Sequence, residues 1–244
     1  MCGRGAIDYD WATLWAWMQL PGEPPDGHLR RLNIAPSTRK GGEVVWTRMP
    51  VVRLNEHGTP RLDELVWPLI PPWLHGELPK FSTANCRSES DRPFGAVVRS
   101  KPAFRNAWYK GRRCLVPMSW FYEWDKRQKP SQPWRIRPRE DPLLVMAGLW
   151  DRTSDSDGQL LDSFTIITTG PNSLLERIGH QRAPVLLRPD RFEQWLQGDE
   201  AQAEALIRPP PDEWLVAEPV TRRVNNPGFQ GEALLHPEGD PVTA

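Results

Sequence analysis

The sequence predicts an α+β fold: a single domain whose mostly antiparallel sheet curls or closes into a barrel, with short helices on its flanks. Three observations carry this. The 244 residues include 27 prolines, which break helices and mark turns, so long helices are excluded. Between the turns lie short runs rich in β-branched and aromatic residues, as strands require. No regular strand–helix–strand rhythm appears, which argues against a parallel doubly wound sheet. A chain of this length fits one domain.

The elements follow in order. Asp10 is placed to cap a short helix over 11–19, with Leu14, Trp15 and Met18 on one face and Pro21 beyond its end. Strand character then marks 44–48, 51–54 and 61–67, with a turn at His57 and Gly58. A helix is expected near 96–107, then strands over 113–124, 134–137, 143–150 and 163–169. Short helices fit 173–178, 191–196 and 201–207, and a last strand fits 214–220. The domain is expected to occupy residues 2–235, with 236–244 a flexible polar tail.

Composition narrows the function. The uncharged stretch over 11–20 is far shorter than the roughly 20 residues of a membrane span, and no signal peptide is visible, so no membrane role is expected. Cys2, Cys86 and Cys114 form no CxxC pair, which predicts neither a disulfide framework nor a metal site and suits the reducing cytoplasm. Phosphate-binding glycine loops are absent, and no cofactor is expected. The net charge is zero, yet residues 1–115 carry 17 Lys/Arg against 11 Asp/Glu. The excess lies between Arg87 and Arg113, a basic band suited to a polyanion or, equally, the result of a codon bias towards arginine.

The chain opens Met-Cys-Gly, from which the methionine is expected to be removed, leaving Cys2 as the first residue. Its amine, of pKa about 7.7–8.0, and its thiol, about 8.5, would both be available as nucleophiles at neutral pH. The thiol could attack a carbonyl with the amine as base, or both could condense with one aldehyde into a thiazolidine.

An opening Met-Cys-Gly is shared with class II glutamine amidotransferases, but the His-Arg-Gly-Pro-Asp-like element those enzymes need is missing. The ordered segments are different: Met1-Cys2-Gly3-Arg4, Asn33-Ile34-Ala35-Pro36, Trp67-Pro68-Leu69-Ile70-Pro71-Pro72-Trp73 and Asn85-Cys86-Arg87-Ser88-Glu89. After them come Arg113-Cys114-Leu115-Val116-Pro117, Phe121-Tyr122-Glu123-Trp124, Phe164-Thr165-Ile166-Ile167-Thr168 and His180-Gln181-Arg182-Ala183-Pro184. In order and spacing the chain resembles the SOS response-associated peptidase (SRAP) family, whose members crosslink to abasic sites in single-stranded DNA.

The resemblance implies that Cys2 is the crosslinking residue, Asn85 orients the opened sugar, Glu123 is the acid/base carboxylate and His180 moves protons at the sugar. It implies that Arg4, Arg87 and Arg182 hold DNA phosphates, that Trp73 and Trp124 wall the site or stack on bases, and that Asn33 and Pro36 also touch DNA. The expected partner is single-stranded DNA carrying abasic sites, bound by a nucleoid-associated monomer without metal. Cys86, Pro68, Ala183 and the segment Met118-Ser119-Trp120 depart from the family pattern without touching the four chemical positions.

Read singly, each residue has an ordinary alternative. Glu123, in an apolar strand, could face solvent, since alternation permits either side. His180 could pack or cap, Asn85 could serve a turn, and Arg87 could pair with Glu89. Two rival functions remain at this level: an N-terminal cysteine hydrolase acting on small amides, and a non-catalytic single-strand binding module using the basic band.

Overall fold

The computed structural model describes residues 3–89 and 92–243. The chain runs through β1 (Gly5–Asp10), α1 (Trp11–Met18), β2 (His28–Ile34), the small hairpin β3 (Thr38–Lys40) and β4 (Glu43–Val45), and the long hairpin β5 (Thr47–Leu54) and β6 (Pro60–Trp67). Then come β7 (Asn85–Arg87), α2 (Phe94–Arg99), α3 (Pro102–Tyr109), β8 (Arg113–Met118), β9 (Trp120–Asp125) and β10 (Gln132–Pro138). β11 (Leu144–Ser154), β12 (Leu160–Thr169), α4 (Ser173–Arg177), β13 (Ala183–Pro184), α5 (Phe192–Gln197), α6 (Glu200–Glu204) and β14 (Leu215–Pro219) follow.

The expected α+β barrel is present. β11, β8, β5, β6 and β12 pair in that order, and β12 returns to β11, closing a five-stranded ring. The β12–β6 contact is parallel and the other four are antiparallel. Beyond the ring, the end of β12 carries β7 in parallel and β13 antiparallel. A second, antiparallel sheet runs β14-β10-β9-β1-β2. Its strands alternate between two apolar layers: Ile7, Phe121 and Ile136 enter the main core, whereas Ala6, Trp120 and Tyr122 pack under Val220, Val224 and Leu234.

Asp10 caps α1 as expected, its carboxylate accepting from Thr13 N–H at 2.7 Å. The apolar run over 113–124 is two strands in different sheets. At the junction Ser119 N–H donates to Ala6 C=O at 2.9 Å, and Ser119 Oγ accepts from Asp8 N–H at 2.8 Å. Both bonds tie β1 to the corner, so the chain turns out of the barrel there. The helix expected over 96–107 is likewise broken, because Pro102 offers no N–H and holds Lys101 extended, at φ −110° and ψ 91°. The strand expected over 44–48 stops at Val45 and restarts at Thr47, whose N–H donates to Ser37 Oγ at 2.9 Å.

β1, β2 and β7 had no counterpart in the sequence reading. β2 hides its signal: His28 and Arg30 are exposed, and only its second half, ending in Leu32, Asn33 and Ile34, is buried. Residues 236–243, expected as a tail, run beside β14, where Ala217 and Val242 exchange backbone hydrogen bonds of 3.0 and 2.7 Å. Among the described residues no helix is long and apolar enough to cross a membrane.

Candidate functional site

The site is built where the two sheets meet. β1 pairs with β9 through Gly5–Phe121 and Ala6–Trp120, and Tyr122 N–H donates to Arg4 C=O at 2.9 Å. The ladder thus continues past the first residue of β1 and brings the start of the described chain towards Glu123. Gly5 packs closely on β8: a Cβ there would sit 2.5 Å from Met118 Sδ and would push that buried side chain aside. Cys2, the expected nucleophile, lies outside the described residues.

Glu123 points inward from β9, answering the ambiguity that alternation left open; its side chain is 5% exposed. Its Oε1 lies 3.2 Å from Nε2 of His180, itself 12% exposed. The histidine is placed by the end of α4. Asn172 Oδ1 caps the start of that helix by accepting from Leu175 N–H at 3.1 Å. Gly179, at φ +74°, reverses the chain at the other end. Gly179 N–H then donates to Glu176 C=O, and His180 N–H to Leu175 C=O, at 2.9 and 2.8 Å. Glu123 and His180 line a cleft of about 600 Å³ together with Trp124, Arg127 and Arg182. A carboxylate and an imidazole within hydrogen-bonding reach can pass a proton to and from a bound molecule.

The end of β12 carries two further groups of expected site residues, of which Arg182 also lines this cleft. On one side Asn85 and Arg87 on β7 stand opposite Ile166 and Thr168. On the other, Thr168 and Thr169 pair with Pro184 and Ala183 of β13, which Arg182 immediately precedes. Glu89 bridges the two sides, accepting from Arg182 Nε at 3.0 Å and from Thr168 Oγ1 at 3.4 Å. Asn85 is buried in its strand rather than placed at a turn. Glu89 therefore pairs with Arg182, a partner that the neighbouring Arg87 in the sequence obscured.

Arg4 and Asn33 meet in a third cluster. Arg4 Nη1 donates to Asn33 Oδ1 at 2.8 Å and to Val224 C=O at 2.6 Å, and its guanidinium lies 5.6 Å from the Trp124 ring centroid. Burial pulls the Arg4 guanidinium below its ordinary range. Trp124 Nε1 donates to Asn225 Oδ1 at 2.7 Å, and Asn33 Nδ2 donates to Asn226 C=O at 2.8 Å. Gln230 closes over β2, accepting from Leu32 and Asn33 N–H and donating to Asn33 C=O.

The other expected contacts stand apart. Pro36 lines a groove with Pro68, Lys80, Phe81 and Thr83, which leads up to Ala84 beside Asn85. Trp73, exposed, lines a different cleft with Arg105, Lys110, Arg112 and Arg152. Cys86 and Cys114 are fully buried; burial pushes the Cys86 thiol up to about 12 and also raises Cys114, which leaves neither as a thiolate at neutral pH. Of the departures, Met118, Ser119, Trp120 and Ala183 are buried packing or corner residues. Among the described residues no group of three or more His, Cys, Asp or Glu could hold a metal. Sequence reasoning missed Gly179, Asp125, Arg127, Asn225 and Gln230, and took Glu89 only as a partner for Arg87. For Gly179 a signal existed, a glycine directly after a short helix.

The chain is similar to known proteins along most of its length. A family model described as SOS response associated peptidase (SRAP) matches residues 1–227. Abasic site processing protein YoqW of Bacillus subtilis (strain 168) is 31% identical over 241 residues, covering 96% of this chain and 99% of the relative. Abasic site processing protein HMCES of Gallus gallus is 30% identical over 260 residues, covering 93% of this chain and 74% of the relative. A crystal structure of a protein from Bordetella bronchiseptica superposes with a TM-score of 0.71 at 24% identity, over 90% of this chain and all of the other, and shares its fold.

Proposed function

The chain belongs to the SOS response-associated peptidase family, and on that premise we propose that it processes abasic sites in single-stranded DNA by attaching itself to them through Cys2. The observation that carries this reading is the Glu123–His180 pair, which faces a cleft beside the strand end from which the first residues of the chain emerge.

An abasic deoxyribose is a cyclic hemiacetal, a masked aldehyde. Glu123 and His180 assist ring opening by taking the C1′ hydroxyl proton and returning one to the ring oxygen as the C1′–O4′ bond breaks. The Cys2 amine then adds to the aldehyde carbon; the hydroxyl of the resulting carbinolamine takes a proton and departs as water as its C–O bond breaks, and the nitrogen gives up a proton, leaving an imine. The Cys2 sulfur adds to the imine carbon, the nitrogen regains a proton, and a five-membered thiazolidine results. The reaction forms one C–N and one C–S bond and releases one water, with no change of oxidation state. Asn85 orients the opened sugar, while Arg4, Arg87 and Arg182 with Trp124, Asn33 and Pro36 hold the flanking strand; Trp73, in its separate cleft, would stack only on bases farther along it.

The same pair would let the protein hydrolyse its own Met1–Cys2 bond, which frees the amine that the crosslink needs. The direct test is a denaturing gel of protein mixed with single-stranded DNA bearing one abasic site. A band that survives heat and denaturant, appears only with the abasic strand and is absent with intact DNA supports the reading. Binding that is salt-dependent but indifferent to the lesion, with no stable band, overturns it in favour of a simple strand-binding module.

A further inference from the structure

Glu123 is followed two residues later by Asp125, so both side chains leave β9 on the same face, about 6.7 Å apart along the strand. Glu123 reaches His180. Asp125 lies against Gly179, the residue just before His180. Asp125 is buried, and its carboxylate is wrapped by Arg127: Oδ1 accepts from Arg127 N–H and Nε, and Oδ2 from Nη2, each at 2.9 Å. Arg127 Nη2 also donates to Arg177 C=O at 2.7 Å, a carbonyl in the last turn of α4 that has no intrahelical partner of its own to reach.

Gly179 lies flat against this ion pair. A Cβ at 179 would stand 2.4 Å from Asp125 Oδ1, 2.6 Å from Arg127 Nε and 2.9 Å from Arg127 Cζ, and its φ of +74° already favours glycine. Two ties therefore join β9 to successive residues of the α4–β13 loop, one through Gly179 and one through His180. The α4–β13 loop has no strand ladder to β9: β13 pairs with β12, and β9 pairs with β1 and β10.

We propose that Asp125 and Arg127 are positioning residues that, with Gly179, set the separation of Glu123 and His180 and so the rate of the reaction at the cleft. Neither Asp125 nor Gly179 needs to touch the DNA for this; the clamp acts through the two groups it holds together. The consequence for the adduct rests on the function proposed above, whereas the geometric claim does not.

The experiment compares the full-length protein with Arg127→Met, which keeps the length of the side chain and removes its donors, and with Gly179→Ala. The His180 ring resonances are recorded by NMR, with those of His28, paired with Asp8 at the far end of the sheet, as internal reference. Displaced His180 signals with unmoved His28 signals are expected in both variants. Unchanged His180 signals in folded Arg127→Met overturn the proposal whether or not the protein forms adducts. Adduct formation with abasic single-stranded DNA is then timed. Arg127→Met should be slower by about 10-fold or more, yet change the rate less than about twofold when placed in a Glu123→Gln background, because the contact it serves is already lost. Equal slowing in both backgrounds would make the clamp a general support of the fold and overturn its assignment to this pair. If Gly179→Ala fails to fold, Arg127→Lys supplies the second test: it restores the charge but not the fork, and should recover only part of the rate. An absence of adduct with the wild-type protein would instead remove the functional reading and leave the NMR comparison standing.

Discussion

Glu123 and His180 meet at 3.2 Å although they belong to elements that share no hydrogen-bonded ladder, one in the antiparallel sheet and the other in a loop leading to a strand on the barrel. The contact is a product of tertiary packing, and changes that leave secondary structure intact can still break it. Five predictions follow from the site and the scaffold around it.

Cys2→Ser retains a mature amine but exchanges the thiol for a far weaker nucleophile. The imine should still form and be trapped by borohydride, while little adduct survives denaturant without reductant. An N-terminal tag left in place should abolish both species. A denaturant-stable band of wild-type intensity from either protein would point to an internal nucleophile.

Glu123→Gln keeps the shape of the side chain and loses its titrating carboxyl. Crosslinking should slow by roughly 100-fold, with affinity for intact single-stranded DNA near that of the wild type. A wild-type rate in single-turnover measurements would assign Glu123 to structure alone.

Arg87 lies at the exposed end of β7. If it neutralises a phosphate, Arg87→Ala should weaken binding and lower the slope of log affinity against log salt by about one counterion. An unaltered slope in a fluorescence anisotropy titration removes it from the interface.

Gly5→Ala drives a methyl group into Met118 Sδ. Overpacking of this kind costs about 1–3 kcal/mol, and because Gly5 sits on the β1–β9 ladder it should also slow crosslinking. Met118→Ala introduced alongside it opens the space and should recover much of the loss in urea denaturation; additive destabilisation by the two changes would contradict the contact.

Burial alone would raise the Glu218 carboxyl, but hydrogen bonds from Arg137 and Arg135, and their charges, outweigh it and hold it below the ordinary glutamate range. A lowered folded-state value means that the unfolded chain takes up the proton first as acid is added. The stabilisation is complete above the unfolded value of about 4.3 and is lost as pH falls through the folded one. Glu218→Gln should therefore be less stable than the wild type at neutral pH and show a shallower decline below about pH 4. Parallel stability curves across that range would show that the pair carries no linked proton.

Much of the fold could be read from local chemistry. Asp10 before an apolar turn and Gly58 between alternating segments each act on their immediate neighbours, and the sequence displays them; Pro102 is equally local, yet the helix expected over 96–107 runs through it. β2 could not be read so well, because its first half faces solvent and its pairing with β1 is what makes it a strand. The break at Ser119 was hidden for the same reason: residues 113–124 look uniformly strand-forming, and only the bonds to Ala6 and Asp8 turn the chain into a second sheet. At the site, residue identities were legible as an ordered pattern, whereas the supports were not. Asp125 looks like a surface carboxylate until Arg127 and Gly179 are packed against it, and nothing in the order of residues shows that Arg4 will share Val224 C=O with Asn33.

The closed ring of β11, β8, β5, β6 and β12 has a bearing on how the molecule behaves in a crowded solution. A strand with an open side is a template on which another chain can polymerise, and in the barrel both sides of each strand are engaged along the closure. The antiparallel sheet does have ends, and each is guarded. Val242 is seated against β14, Gln230 occupies backbone donors and an acceptor on β2, and His28, Arg30 and Arg31 place cationic or titratable groups along the remainder of that strand. A protein whose proposed fate is to remain fixed to DNA thereby offers little exposed backbone from these two sheets to recruit into an aggregate.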